Sequence, residues 1–532
     1  MQVTAVAQQA DAISEDEVRA PHGRASEIRE RLSSELIIGL IGPVASGVST
    51  TAAMLKKKLE DDYGYNVPDI IKVSEFIRQN ATKVGASLIE APISDRINSY
   101  QDAGNKLREQ FGSGILAKLS VRKISAVRHQ DGFDTVVVAG EADREIPVPH
   151  RRVHIIDSIK HPEEIAQLRE IYGNIFWAIG VSAADHVRQR RLLAAGVEHG
   201  RVIELLRRDM GEKAEFGQKV RKAFASADFF VRNDDENRDN IGRSLDRFLE
   251  VLFGTRLRNP TPEESAMFHA ATAASKSACM SRQVGAAVVT SEGGLISVGW
   301  NDVPKYGGGL YGELEGQDDN RCFRWRDNVC HNDFEKGLIE DRVVQGIRAE
   351  LVKKAANAPL AAGLKQVPVM LSEGEIRDAI AGSGIGSLIE FSRAIHAEMA
   401  AILAVARDKR HSLRDSTMVV TTYPCHNCAR HIVAAGIKEV IYIEPYEKSL
   451  AIRLHPDSIS EDQREANRVH FKQFQGFAPR HILELFSVKS DREKDGKLVE
   501  VERKTAMPIY RRHLDSFTLY EDKVVNDVVD FV

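Results

Sequence analysis

Cysteine is scarce in this chain: Cys279, Cys322, Cys330, Cys425 and Cys428 are the only five in 532 residues. An odd, sparse set, in a chain whose N-terminal stretch holds no apolar signal-peptide core, argues against a disulfide framework and for metal binding or simple burial. An excess of either charge is also lacking. Lys and Arg number 73 against 77 Asp and Glu, a formal net charge of −4. A general nucleic-acid binder would carry a basic excess, so DNA binding is not expected, although a small phosphorylated ligand needs only a few local donors. No apolar run approaches the length of a membrane span, so a soluble, cytoplasmic protein without membrane contact is expected.

What is present suits globular cores: 43% of residues are apolar and 28% charged. The length predicts two substantial domains. We expect a flexible arm at 1–30, a first domain at 31–256, a second at 263–486 with an insertion at 302–395, and a tail at 487–532 that the pattern does not place. The apolar run Leu36 to Ile41 reads as a buried parallel strand, and Arg152 to Asp157 and Asn174 to Val181 repeat it. Long amphipathic stretches such as Gln101 to His129 lie between them, and a helix from Asp239 to Phe253 closes this half, which predicts a parallel α/β domain. After a linker at Arg258 to Pro262, a helix from Glu263 to Met280 and a hairpin of Gly285 to Thr290 with Leu295 to Trp300 open the second half. A helix from Ala397 to Asp408, a strand at Thr417 to Thr421, a helix from Cys425 to Ala435 and a strand at Glu439 to Ile443 complete an α/β/α unit.

The second half carries His396-Ala397-Glu398 and Pro424-Cys425-His426-Asn427-Cys428. Zinc prefers tetrahedral nitrogen and sulfur ligands, and a catalytic site keeps one position for water. His396, Cys425 and Cys428 supply three ligands and leave the fourth place open. The two cysteines share a face at a helix start, where the dipole favours the thiolate, and Pro424 precedes that helix at no hydrogen-bonding cost. Glu398, at the first turn of its own helix, is then free to move protons. Hydroxide generated near neutral pH attacks C4 of a cytosine while Glu398 carries a proton to N3 and then to the departing ammonia. A structural zinc site or a pair of reduced core cysteines is the plainer alternative.

These motifs, with Ser281 to Val289 and Gly299-Trp300-Asn301-Asp302-Val303-Pro304 before them, resemble the deoxycytidylate deaminase family in order, over about residues 263–445. The resemblance implies a cytidine deaminase-like α/β/α fold, homo-oligomers and a deoxyribose contact from Asn301. Ala400 stands where the family usually has Asn, and the segment between Asn301 and His396 is longer than in compact members. Within it, Cys322, Cys330 and His331 could hold a second, structural Zn2+, with buried free cysteines as the alternative. Arg282 and Lys305, with Lys276, are candidate holders of substrate phosphates, or else ordinary solvated charges.

In the first half, a strand runs into Gly42-x-x-x-x-Gly47-Val48-Ser49-Thr50 and then a helix, the layout of a Walker A loop whose backbone amides cradle phosphates. Gly42, Gly47, Val48, Ser49 and Thr50 are the candidate nucleotide-binding residues, with Ser49 placed for Mg2+. Val48 occupies the lysine position, so phosphate binding is expected to survive where phosphoryl transfer does not. Together with Asp157, Arg188, Arg190, Arg191 and Ala227 to Asn233, the loop resembles the nucleoside-monophosphate and dephospho-coenzyme A kinase group. The expected fold is therefore α/β throughout: an N-terminal P-loop kinase-like parallel sheet plus a C-terminal deaminase sandwich. That pairing resembles the bacterial antiphage deoxycytidine nucleotide deaminases. It implies deamination of dCTP and dCMP to deplete the pool a phage needs, with activity held off by an RNA or another regulator. The other readings are a polynucleotide deaminase acting on tRNA or single-stranded DNA, and a nucleotide-sensing regulatory protein. A neutral chain without a basic, aromatic-rich groove argues against the former.

Overall fold

The computed structural model describes residues 32–130, 133–136, 144–147, 150–210, 216–234, 239–356, 372–381, 391–446, 449–487 and 492–531. The expected arm at 1–30 lies outside them. Two six-stranded sheets organise the chain. In the first, Leu36–Ile41 is central, paired in parallel with Phe176–Ser182 on one side and Val153–Ile159 on the other. All six residues of Leu36–Ile41 are buried. Helices cover both faces, and for that reason the strand reads as an unbroken apolar run without alternation.

The second sheet runs Leu295–Trp300, Gly285–Val289, Thr417–Thr422, Glu439–Glu444, Val469–Gln473 and Ile459–Ser460, antiparallel through the first three strands and parallel beyond. Its side chains alternate. Ala287, Val289, Val419 and Ile441 belong to the large core shared with the first sheet, whereas Ala286, Val288, Met418 and Val420 face a second core with Ala397 and Ala401. A period of two delivers alternate residues to opposite faces.

The junction is built on Glu264. Thr261 caps the helix Pro262–Ala274: its hydroxyl accepts from Glu264 N at 3.1 Å, and the Glu264 carboxylate accepts from Thr261 N at 2.7 Å. This is a capping box with proline at the first helical position. The same buried carboxylate binds Arg247 of the first unit and accepts from Phe477 N at 2.9 Å. Gly476–Phe477 is an edge strand of the first sheet, antiparallel to Phe229–Arg232, although it follows the last strand of the second sheet in the chain.

Several expected elements differ from the structure. The helix expected to reach Met280 stops at Ala274. Ser277 Oγ donates to Asn301 O at 2.6 Å and Ala278 N donates to Asp302 Oδ2 at 2.9 Å, which draws the chain away from the helix axis. Gln101 to His129 is two helices, Ile93–Phe111 and Ile115–Gln130, broken at Gly112 with φ +93°. The insertion contains the helices His331–Ala356 and Glu373–Ala381, while 357–371 and 382–390 lie outside the described residues.

The tail is placed by packing. The helix Asp515–Asp527 lies against Ile115–Gln130. Buried Arg128 bridges Glu35, at 2.9 and 3.0 Å, and Glu521 of that helix, and His154 Nε2 adds a 2.7 Å contact to Glu35. Arg128 and His154 hold the Glu35 carboxyl well below its usual range against the opposing effect of burial. Among the described residues no helix is long and apolar enough to cross a membrane.

Candidate functional site

The second sheet presents the helix Ala397–Asp408 and the helix His426–Ala434 on one side. Gly299 makes this possible. A Cβ there would lie 2.3 Å from Ala397 O and 2.4 Å from Ala401 N, so only glycine lets the hairpin strand touch the helix backbone. His396 is the residue before the first helix, in extended conformation, and Cys425 holds the same place before the second. Both side chains are thereby aimed at the gap between helix starts. His396 Nδ1 lies 3.3 Å from Cys425 Sγ and 3.3 Å from Cys428 Sγ. Metal–nitrogen and metal–sulfur bonds of ~2.0 and ~2.3 Å at a tetrahedral angle impose about 3.5 Å between donors. The three residues fit a zinc ion, and among the described residues they are the only group of three or more candidate donors gathered this closely.

Within the donor set the two thiols are driven apart: the Cys428 thiol is pushed up by its hydrogen bond with Cys425 and by burial. The Cys425 thiol is pushed down to about 4 by its hydrogen bond with Cys428 and then by His396. The His396 imidazole is pushed up to about 9, chiefly by the hydrogen bond with Cys425. Glu398, buried beside them, has its carboxyl pushed up by that burial, so it retains a proton more readily than a surface carboxylate.

The three donors and Glu398 meet a cavity of about 380 Å3, lined directly by His396, Glu398 and Cys425. Asn301 and Arg282 are on its wall. The Asn301 amide is committed to the backbone: Oδ1 accepts from Val284 N and Nδ2 donates to Arg282 O, both at 2.7 Å. Arg282 pairs with Glu444 at 3.4 Å and lies 6.0 Å from the Tyr446 ring. Lys305 is not on the wall; it is paired with Glu315. Lys276 sits 4.9 Å over Trp300. Cys322, Cys330 and His331 do line the cavity, together with Cys279, but their donor atoms are not gathered as a ligand set. Burial pushes both the Cys322 and Cys330 thiols up.

The phosphate loop is a separate site. Gly42, Gly47, Val48, Ser49 and Thr50 line a cavity of about 430 Å3. Gly47 has φ +95°, and a Cβ there would meet Asn233 Nδ2 at 2.1 Å. Ser49 Oγ donates to Asp157 Oδ2 at 2.7 Å, which pairs the two side chains that hold Mg2+ in such loops. Val48 is buried, and three cations reach the loop. Lys160 donates to Gly42 O at 2.8 Å and pairs with Asp209 at 3.0 Å, while Arg188 and Arg191, from the basic cluster that the sequence associates with the loop, donate to Val44 O at 2.9 Å and to Ala45 O at 3.0 Å. Asp209 also accepts from the loop amide Val44 N at 2.5 Å. The sequence offered no sign of Lys160 or Asp209, which reach the loop from 116 and 165 residues after Val44 in the fold.

Residues 260–444 match the model of the cytidine and deoxycytidylate deaminase zinc-binding region. That match falls within the C-terminal unit and spans both zinc motifs. The deoxycytidylate deaminase of Enterobacteria phage T4 is 29% identical over 180 residues, 33% of this chain and 73% of that protein. A UPF0200 protein of Saccharolobus islandicus is 24% identical over 200 residues, 37% of this chain and 84% of that protein. Among solved structures, the dCMP deaminase of cyanophage S-TIM5 in complex with dCMP and dUMP aligns with 41% of this chain and 99% of its own, at 19% identity and a TM-score of 0.22.

Proposed function

We propose that this protein hydrolytically deaminates deoxycytidine nucleotides, dCTP and dCMP, with a zinc ion held by His396, Cys425 and Cys428. The observation that carries the reading is the 3.3 Å gathering of these donors beside buried Glu398. Zinc in that place would supply Lewis acidity and lower the pKa of a water to near neutral. Glu398 accepts a proton from the attacking water, delivers it to N3 of the ring, and passes a second to the departing amine. The balance is cytosine plus water to uracil plus ammonia. Asn301 shapes the wall on which the sugar rests, and Arg282 faces the phosphate.

The first unit, within 31–256, acts in this reading as a phosphate-binding regulator, in which Ser49 and Asp157 would hold Mg2+ and the ion would offset phosphate charge. The pairing of the two units supports a role in antiphage defence by depletion of the deoxycytidine nucleotide pool, with homo-oligomers and an inhibitory RNA or other regulator as partners. The test offers purified protein cytosine, deoxycytidine, dCMP, dCTP, CTP and single-stranded DNA, and measures uracil product and zinc content. Turnover confined to the two deoxynucleotides is the expected result, and uracil formed only in DNA would replace this reading with the polynucleotide one.

A further inference from the structure

Resting on the deaminase reading, we propose that residues 218–221 link the two sites: through them an anion at the phosphate loop changes nucleotide binding in the deaminase cavity, with Gln218 as the positioning residue. The two cavities share this stretch of chain as a wall. Gln218 lines the loop cavity of about 430 Å3, and Arg221, three positions on, lines the deaminase cavity of about 380 Å3. Three residues of chain span at most ~10 Å even when fully extended. A displacement at one end has few bonds over which to decay.

The loop end of the segment is tied to the groups that hold the loop. Gln218 Oε1 accepts from Gln101 Nε2 at 3.3 Å, and the same amide nitrogen reaches Asp209 Oδ1 at 3.5 Å. Lys219 N donates to Lys160 O at 3.2 Å, and the Lys160 ammonium joins Gly42 O to Asp209. Asp209 in turn sits on the loop amide of Val44. The other end is seated in the core. The helix Val220–Ala225 buries Val220, Ala223 and Phe224. It packs against Leu36–Ile41 of the first sheet, against His199–Met210, the helix that carries Asp209, and against Glu439–Glu444 of the second sheet. The Phe224 ring lies 5.3 Å from that of Phe230, and a Cβ added at Gly180 would meet it at 2.9 Å. An element packed this closely moves as a body, because a dense interior transmits strain. It delivers Arg221 to the deaminase wall beside Tyr446, whose phenol feels its charge.

Two states follow. With the loop empty, Asp209 gathers Val44 N, Lys160 and Gln101, and residues 218 and 219 are bonded to that group. An anion on the loop amides takes Val44 N and the Lys160 ammonium, and its charge drives the Asp209 carboxylate away. Gln101 and Lys160 then change partners, residues 218 and 219 shift with them, and the helix carries the shift to the wall around Tyr446. Each ligand biases this equilibrium by its difference in affinity for the two states, and the coupling is reciprocal.

Gln218→Met, which keeps the bulk of the side chain and removes the acceptor for Gln101, tests this in the full chain. Inorganic pyrophosphate is the probe of the loop, and dUMP and dCMP are the probes of the deaminase cavity. In the parent, saturating pyrophosphate is expected to change the dUMP Kd and the dCMP KM about fivefold or more at constant kcat, and saturating dUMP to change the pyrophosphate Kd by the same factor. In the variant each ligand alone binds as in the parent, and the coupling is lost. A parent without coupling overturns the proposal. So does an equal pyrophosphate effect in the variant, which is competition within one cavity, and so does loss of pyrophosphate binding, which makes Gln218 part of the loop site. Amide hydrogen exchange on the parent is a second measurement that needs no variant: pyrophosphate is expected to change protection at 218–225 and 440–446, and unchanged exchange there overturns the link. If the parent deaminated nothing, the functional reading would fail, while dUMP binding and hydrogen exchange would still decide the link.

Discussion

The two sites of this chain treat their missing ligands in opposite ways. At the helix starts of the second sheet, His396, Cys425 and Cys428 are held in place by backbone geometry with one another and Glu398 as neighbours. At the phosphate loop, the protein supplies its own anion: the Asp209 carboxylate sits on Val44 N, and Lys160 joins it to Gly42 O. The first site gathers donors that fit a metal, and in the second the loop amide already has a carboxylate partner. In the proposed reading a phosphate at the loop would displace that carboxylate, and such an exchange would suit a switch because binding would change which groups Asp209 and Lys160 hold.

The largest expected effect breaks the first half of that contrast. Glu398→Ala is expected to cut deamination by about two to four orders of magnitude, the usual worth of a proton carrier, with zinc content unchanged by elemental analysis. Cys425→Ala is expected to lose zinc and activity together. Turnover surviving in a fully zinc-loaded Glu398→Ala protein would remove Glu398 from the mechanism.

A middle-sized effect tests the phosphate loop. Asp209→Asn keeps the shape of the side chain and removes its charge, so binding of inorganic pyrophosphate, read by calorimetry, is expected to tighten several-fold. Lys160→Ala is expected to weaken it. Because Asp209 is buried and pairs with Lys160 at 3.0 Å, the Asn variant also loses stability, about 1–3 kcal/mol for a buried charged partner deprived of its mate. Pyrophosphate affinity that ignores both changes would mean that the loop does not bind phosphate through these groups.

How much of this was legible follows from sequence distance. The zinc donors lie in two short motifs whose helical context fixes their direction, so H-x-E and C-x-x-C announce the site before any fold is known. The strands Leu36–Ile41 and Thr417–Thr422 were equally plain, because burial on both sheet faces demands apolar runs. Lys160 and Asp209 were invisible. Each is an ordinary charge on an ordinary helix or turn, and only the tertiary path brings it to a loop more than a hundred residues away. Lys305 shows the reverse error: adjacency to a motif suggested a phosphate contact, yet its amine is taken by Glu315 ten residues on. The tail was unplaced for a related reason. Its short apolar runs have no period of their own, and they acquire meaning only against the first unit, where Leu514, Phe517 and Val528 are buried in the large core.

The smallest effect distinguishes how the two units are braced. Glu521, from the tail helix, is buried against Arg128, and burial pushes its carboxyl up to about 7 despite that guanidinium, whose attraction it shares with Glu35. The fold therefore binds a proton at Glu521 that the unfolded chain, with an ordinary carboxylate, would have released. Stability from this group is full below the usual carboxylate range and falls as pH rises from there through about 7, because the native state is then left with two buried carboxylates on one arginine. Glu35 has the opposite sign, since its carboxyl is held low and its contribution is lost only in acid. Of these two carboxyls, Glu521 is the one whose contribution changes between pH 5 and 8. The melting temperature of the first unit's transition is expected to fall across that interval, and Glu521→Gln, which keeps a hydrogen-bonding group and cannot ionise, is expected to flatten the fall. A pH-dependent loss of bound zinc that Glu521→Gln also corrected would show the two units to melt as one, and the contrast between them would then be one of ligand chemistry alone.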